Sequence, residues 1–134
     1  MQTDEITLSV DEENDGVGPV NHVYSRFEEY QNRAVYIGPN HSIPNRNTLG
    51  LYRTFPKVSG NFRGVSKSAV KFSQDISVTG VDGVSQLSAP IIVDVSFSIP
   101  VGATHAQILI ARQRALALLD LDAVMTPLNE QLMV

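Results

Sequence analysis

The stretch FSIPVGATHAQILIARQRALALL, residues 97–119, carries the transition on which the predicted fold depends. Its first residues alternate apolar and polar side chains, which is typical of a strand, and Pro100 and Gly102 then end that strand. Thr104 and Gln107 have the spacing of a capping box, so a helix should begin here. The sequence therefore predicts a β-strand that turns directly into an α-helix.

The predicted helix lacks a broad polar face. At about 100° per residue, His105 and Arg112 lie in one direction and Gln107 and Arg114 in the opposite one, with apolar side chains between them. One small sheet covers only one side of such a helix, so we expect a partner subunit, most simply a second copy related by a twofold axis. The alternative is an ordinary core helix with a locally polar end. The residues expected at the dimer interface are Ile108, Ala111, Ala115, Leu118 and Leu119.

Two strands before this helix each have an apolar and a polar face. In the first, the even positions from Val70 to Val78 are largely apolar, whereas the odd positions carry Lys67, Lys71 and Ser73. In the second, the odd positions from Ile91 to Ile99 are apolar. The two strands should form an antiparallel pair, with an apolar face that packs in the core and a polar face that meets solvent or a ligand.

The remaining segments complete an α+β fold in a single domain. A strand is expected at residues 6–10, and a flexible loop should connect the two longer strands over residues 79–89. Thr126 and Pro127 should cap and begin a second short helix that runs to Leu132. The predicted architecture is an antiparallel sheet, formed by an N-terminal hairpin and a meander over roughly residues 5–99, followed by two helices within roughly residues 104–132. The other short strands are expected near residues 21–27, 33–37 and 48–55.

Charged residues are distributed unevenly along the chain. From Tyr30 to Gln74 there are seven basic residues and no acidic one. Residues 1–29 carry eight acids and one arginine, or −7, and residues 75–134 carry six acids and two arginines, or −4. The overall charge of −4 therefore conceals a strongly basic segment. Such a segment predicts a positive surface for a negatively charged partner, most commonly the phosphates of a nucleic acid.

Composition argues against several functional classes. The chain has no cysteine, so neither a disulfide framework nor a thiolate zinc site is expected. His22, His41 and His105 are far apart in sequence and no catalytic motif is present, so we expect no enzyme, no metal, no cofactor and no small-molecule substrate. The N-terminus lacks an apolar signal segment, and no run approaches the ~20 apolar residues that cross a bilayer. We expect no membrane association and a cytosolic site of synthesis.

The chain resembles the coat proteins of small single-stranded RNA bacteriophages, the levivirus-like family. The strongest local similarity is the strand-to-helix segment quoted above, and a second is Val70-Lys71-Phe72, which matches a strand whose polar side faces RNA in that family. The similarity covers roughly residues 48–134, whereas residues 1–47 share only the order of elements.

The resemblance implies an interlocked homodimer whose sheets join edge to edge, with the helices outside an icosahedral shell and the polar sheet face towards single-stranded RNA. The chain would then be a capsid protein of the virion, assembled in the cytoplasm of a bacterial host. In that family the same face also grips an RNA hairpin that silences replicase translation. The positions aligned with the stacking Tyr and neighbouring Asn of that mode hold Ile92 and Asp94 here. We therefore expect packaging, and translational repression through a genomic RNA hairpin only where that hairpin is read in another way.

Candidate RNA-binding residues come from the basic segment. Lys67 and Lys71 share the polar parity of their strand, whereas Arg53 shares the parity of Leu49 and Leu51, which leaves its face open. Tyr52 is either a stacking platform for an unpaired base or an ordinary half-buried sheet aromatic. For each cation the alternative is a solvated surface charge. The full candidate set is Tyr52, Arg53, Lys57, Arg63, Lys67, Lys71 and Ser73.

A second functional class remains open, which is a small dimeric cytosolic RNA-binding regulator that forms no shell. It accounts for the basic segment and for the apolar helix. It does not account for the loop at residues 79–89, because in the coat-protein family this connection gathers around the symmetry axes of the shell in several shapes. Particle formation separates the two classes, since both predict bound RNA.

Overall fold

The computed structural model describes residues 4–14 and 16–130, and in this part of the chain six β-strands precede two α-helices. This confirms the predicted fold class, an antiparallel sheet followed by two helices. The elements are β1 Glu5–Val10, β2 Val20–Tyr30, β3 Arg33–Ile37, β4 Asn47–Thr54, β5 Val65–Thr79, β6 Gln86–Pro100, α1 His105–Leu119 and α2 Asp122–Glu130.

The strands lie in the sheet in the order in which they occur in the chain, so each pairs with its sequence neighbour. Pairing is antiparallel from β1 through β5. Residues 31 and 32 connect β2 to β3, whereas residues 38–46 form the longer connection between β3 and β4. The sheet is a meander that begins with the expected N-terminal hairpin, and β1 and β6 form its two edges.

One face of the sheet, here called the core face, carries the buried cluster. Tyr24, Ala34, Tyr36 and Leu49 are its buried residues, and the Tyr36 side chain is fully buried. Burial raises the pKa of Tyr24 above its ordinary value because the phenolate form loses hydration. The partly buried residues packed against the cluster are Ile6, Leu8, Leu51, Val70 and Phe72.

Side chains from the N-terminal hairpin reach those of strands farther along the core face. Tyr24 of β2 and Phe72 of β5 meet edge to face, with ring centroids 6.3 Å apart. Three interstrand steps would separate the two strands by about 14 Å in a flat sheet. A register shift between Arg26 and Glu28 marks a bulge in β2, and bulges bend and twist the strand that carries them. The core cluster is therefore continuous from β2 to β5.

The chain forms two compact units. Among the described residues, the first contains those up to Pro56 together with Ser66–Ser98, and the second contains Lys57–Val65 together with those from Ile99 to Glu130. Within the second unit, the backbone carbonyl of Gly64 accepts a hydrogen bond from the amide of Val101 at 3.0 Å. Gly64 has φ +95°, and a methyl group there would lie 2.2 Å from the Lys57 carbonyl oxygen, so only glycine fits.

Helix α1 begins as predicted. The Thr104 hydroxyl accepts from the Gln107 backbone amide at 3.3 Å, and the Gln107 side-chain oxygen accepts from the Thr104 amide at 3.0 Å. The helix ends at Leu119, two residues before the predicted end at Leu121. No residue of α1 is buried in the single chain, and the Leu118 side chain remains 52% exposed. The apolar surface that predicted a partner is therefore open to solvent in one subunit.

The predicted start of the second helix is wrong. Helix α2 begins at Asp122, and Pro127 lies inside it, not at its first position. The amides of Val124 and Met125 donate to the Leu121 carbonyl, and the carboxylate of Asp122 lies at the positive end of the helix dipole. These interactions nucleate a turn before the proline, which removes only one later hydrogen bond. The predicted end at residue 132 lies outside the described residues.

The connection between β5 and β6 is shorter and more ordered than predicted. It spans residues 80–85, because β5 continues to Thr79 and β6 begins at Gln86. The carboxylate of Asp82 accepts from the Ser85 hydroxyl at 2.6 Å, from the Ser85 amide at 2.8 Å and from the Val84 amide at 3.0 Å. These hydrogen bonds lower the pKa of Asp82 from 3.8 to about 2. The loop is therefore held by one carboxylate.

Replacing Asp82 with Ala should expose the Val84 and Ser85 amides to hydrogen exchange at every pH. In the unsubstituted chain the stabilising contribution of Asp82 should be complete above pH 3.8 and disappear as the pH falls through about 2, because folding lowers this pKa. Amide hydrogen exchange measured across this pH range tests both statements. Asp94→Ala, which removes an exposed carboxylate of β6, is the matched control and should leave these amides protected. Equal protection in the Asp82 variant would show that the backbone alone orders the loop.

Candidate nucleic-acid interface

The register between β4 and β5 determines which candidate residues share a surface. Lys71 lies directly opposite Gly50, and Lys67 lies opposite Thr54. On the alternate positions Leu49 pairs with Phe72, which places these two on the core face. The surface opposite the core face is called the polar face below. It brings together four residues of the predicted set, which are Tyr52, Lys67, Lys71 and Ser73.

Arg53 does not join them. It pairs with Ser68 and shares the parity of the core face, near the end of β4. Its guanidinium donates a hydrogen bond to the Gln31 carbonyl at 3.3 Å and lies 6.0 Å from the centroid of the Phe55 ring. The structure thus settles the face that the sequence left open, since Arg53 supports the strand end and the neighbouring turn.

Lys57 and Arg63 lie in the second compact unit, where they flank a short turn. Ser59 and Phe62 close this turn through two backbone hydrogen bonds of 2.9 and 3.0 Å. Both cationic residues are exposed. Within their own unit they extend long charged side chains from a hydrogen-bonded turn, so they are available to an anionic partner as separate contacts.

Arg33 is a polar-face cation that sequence reasoning did not include among the site residues. It lies directly opposite Tyr52 in the β3–β4 pair, and its guanidinium stacks 4.7 Å from the Tyr30 ring centroid. It also forms an ion pair of 3.5 Å with Glu28. The basic residue was visible in the sequence, but its face depends on the β3–β4 register, which no local pattern specifies.

Lys67 and Lys71 differ from Arg33 in lacking an acidic partner. In the described ranges, no carboxylate lies within 4.0 Å of either ammonium group. Arg26, by contrast, pairs with Asp4 at 2.5 Å and with Glu29 at 2.7 Å. The two lysines are therefore the strongest uncompensated positive charges on the polar face.

A shallow groove lies beside these residues in the sheet unit. Its volume is about 360 Å³, which is at the small end of the range for ligand sites. Lys67 and Arg53 provide cations at its edge, and hydroxyl groups surround it. Such a lining suits a phosphate or the polar edge of a base. The lining residues are Tyr52, Arg53, Thr54, Lys67, Ser68, Ala69, Ser96, Phe97 and Ser98.

Other chemistry has little support in the described part of the chain. No group of three or more His, Cys, Asp or Glu side chains is placed to hold a metal ion among residues 4–14 and 16–130. The carboxylate of Asp75 accepts a hydrogen bond from the Arg46 amide at 3.1 Å and so fixes the loop before β4. Among the described helices, none is long and apolar enough to span a membrane.

Comparison with solved structures identifies the fold. The subunit of the virus-like particle of bacteriophage AVE019 superposes with a TM-score of 0.77 at 19% sequence identity, over 98% of each chain. The fold is that of levi-like bacteriophage particle subunits. The particle of bacteriophage ESE058 gives a TM-score of 0.71 at 16% identity, over 97% of this chain and 96% of the other. Beihai levi-like virus 21 gives 0.71 at 12% identity, over 98% and 96%.

The levi-like fold extends over nearly the whole chain, so it reaches into the N-terminal third, where the sequence resembled the family only in the order of elements. No protein-family model matches the sequence, and no curated protein matches it. The similarity is therefore one of structure, and it confirms the suspected resemblance at the level of the fold.

Proposed function

We propose that this chain is a coat protein that dimerises, assembles into an icosahedral shell and packages single-stranded RNA. The observation that carries the proposal is the apolar helix α1, which has no buried residue in the single chain although it belongs to a levi-like fold. A soluble monomer seldom leaves such a surface uncovered. The structurally similar subunits come from virus-like particles, which supports the proposal that this chain also assembles into a particle.

The edge strand β6 supports dimerisation through the sheet. It has fifteen residues and lies at the end of the strand order, so one side of its backbone has no strand partner within the described chain. Ile91, Ile92 and Val93 are all exposed. A long apolar edge strand is a template for pairing with another chain. A second copy placed antiparallel to β6 across a twofold axis would continue the sheet, and the same axis would let the α1 residues of both copies take part in the interface.

The polar face supplies the RNA contact in this proposal. Lys67 and Lys71 would neutralise phosphates without reading sequence, with Ser73 and the exposed cations Lys57 and Arg63 as further contacts. Tyr52 would add stacking on an unpaired base. Ile92 and Asp94 replace the stacking pair expected from the family, so the proposed packaging does not use that mode of hairpin reading. The site of action is the virion, after assembly in the host cytoplasm.

Size-exclusion chromatography with light scattering tests the proposal on protein expressed in bacteria. Absorbance at two ultraviolet wavelengths across the peak separates protein from nucleic acid. We expect a megadalton, nuclease-resistant and RNA-rich peak. An RNA-binding dimer without particles would favour the regulator, and an RNA-free monomer would exclude both functions.

A further inference from the structure

Gly50 lies beneath the ring of Tyr52 on the polar face. A methyl group at residue 50 would lie 2.6 Å from both Cε2 and Oη of Tyr52 and 2.8 Å from Cζ, distances that no real contact tolerates. Residues two apart on a strand share a face, so the ring bends back along β4 and occupies the space of the missing side chain. Gly50 is buried although it lies on the polar face, which agrees with this cover.

The position of the ring also affects its surroundings. Lys71 lies opposite Gly50, so the ring lies beside the strand position that carries an unpaired lysine. Ala69 lies opposite Tyr52 and lines the groove. Tyr52 also lines this groove, so its ring borders the open space. A flat aromatic surface, an adjacent cation and an open groove are the three parts of a site that stacks one base and neutralises its phosphate.

We propose that Gly50 is a positioning residue for base stacking, because its missing side chain lets the hydroxyl end of the Tyr52 ring bend back over residue 50, beside Lys71. The inference rests on the proposed RNA-packaging function and specifies how one part of that surface works. The ligand is an unpaired nucleotide of single-stranded RNA. Gly50 does not touch it, and acts only through the orientation of Tyr52.

The fold itself does not require glycine at this position. Gly50 does not have a positive φ, unlike Gly64, so alanine is compatible with its extended backbone. The atoms that would clash belong to the far end of one side chain, which can rotate away. Gly50→Ala should therefore fold, with an unchanged or slightly higher melting temperature because alanine reduces the entropy of the unfolded chain. If Gly50→Ala weakens base stacking without lowering the melting temperature, then Gly50 positions the Tyr52 ring and is not needed for the stability of the fold.

The test is a double-mutant cycle on the purified full chain before assembly. The probes are a short single-stranded oligoadenylate and an abasic strand of the same length, which has the same phosphates and no bases. Gly50→Ala and Tyr52→Ala should each weaken oligoadenylate binding about tenfold, the scale of one base stacking on one aromatic ring. Gly50→Ala should have no further effect in the Tyr52→Ala background. Affinity for the abasic strand should not change in any variant.

Several outcomes would overturn the inference. They are undiminished oligoadenylate binding by Gly50→Ala, an equal loss of affinity in the Tyr52→Ala background, and equal losses of affinity for the two probes. Failure of Gly50→Ala to fold would also overturn it, because the inference requires that glycine orient the Tyr52 ring without being needed for the fold. Failure of the unsubstituted chain to bind either strand would instead refute the RNA-binding function on which the inference rests.

Discussion

Replacing Leu118 and Leu119 of α1 with Asp should abolish dimer and particle formation. In the single chain the two side chains are 52% and 49% exposed, and they lie on a helix with no buried residue. Completing their burial in a twofold interface would contribute roughly 3–6 kcal/mol per dimer, taking half of the full value for each of four leucines. Two carboxylates per chain would remove this contribution and add a desolvation cost. Light scattering should then report a monomer.

A matched control keeps the charge change on the same helix but away from the proposed contact. Gln113→Asp introduces one carboxylate at an exposed position that the helix wheel places at least about 120° from Leu118 and Leu119. This variant should still associate at the concentrations used for the unsubstituted chain. Dimers or particles of normal size from the double leucine variant would exclude these residues from the interface, and α1 would then need another explanation for its exposed apolar surface.

The elements that could be predicted from the sequence are those with strong local signals. The capping box at Thr104 and Gln107 fixed the start of α1, because its two hydrogen bonds involve only neighbours in the chain. Alternation in β5 likewise separated Lys71 from Phe72, because side-chain direction in a strand follows residue parity. Such features can be predicted without knowing which residues pack against them.

The features that sequence reasoning missed depend on contacts distant in the chain. The face of Arg33 follows from the β3–β4 register, and the contact between Tyr24 and Phe72 follows from the placement of β2 and β5 in one sheet. Neither has a local signature. The start of α2 was predicted wrongly for a different reason. Proline prefers the first turn of a helix, but here the helix already begins with the turn that forms at Asp122.

The candidate site also combines residues that local patterns could place with residues that only distant contacts place. Strand parity placed Lys67, Lys71 and Ser73 on one surface, and the structure adds Tyr52 to them. Parity could not resolve Arg53, whose position at a strand end is set by the Gln31 carbonyl. The close contact between Tyr52 and Gly50 could not be predicted from the sequence either. A glycine in a strand indicates that some group approaches the backbone closely, but it does not identify that group.

Replacing Lys67 and Lys71 with Glu should cause the largest decrease in packaged RNA. Neither lysine has an acidic partner within the described residues, so both charges are available to phosphates. The slope of log affinity for single-stranded RNA against log salt concentration should become shallower by about 0.7 for each phosphate that is no longer neutralised. The Glu side chains also repel the RNA that they face. The ratio of nucleic-acid to protein absorbance in purified particles, with salt titrations on unassembled protein, measures both effects.

The location of a reversed charge, and not the net charge of the subunit alone, should decide how much RNA is packaged. Arg46→Glu is the control for Lys71→Glu, because each reverses one charge of the basic segment. Arg46 precedes β4 and lines a separate polar cavity, where its neighbours include His22 and Asp75. Arg46→Glu should therefore retain most of the RNA, whereas Lys71→Glu should release a large fraction. Equal decreases would mean that RNA senses only the total charge of the subunit, and normal RNA content in the double lysine variant would refute the polar face as the RNA surface.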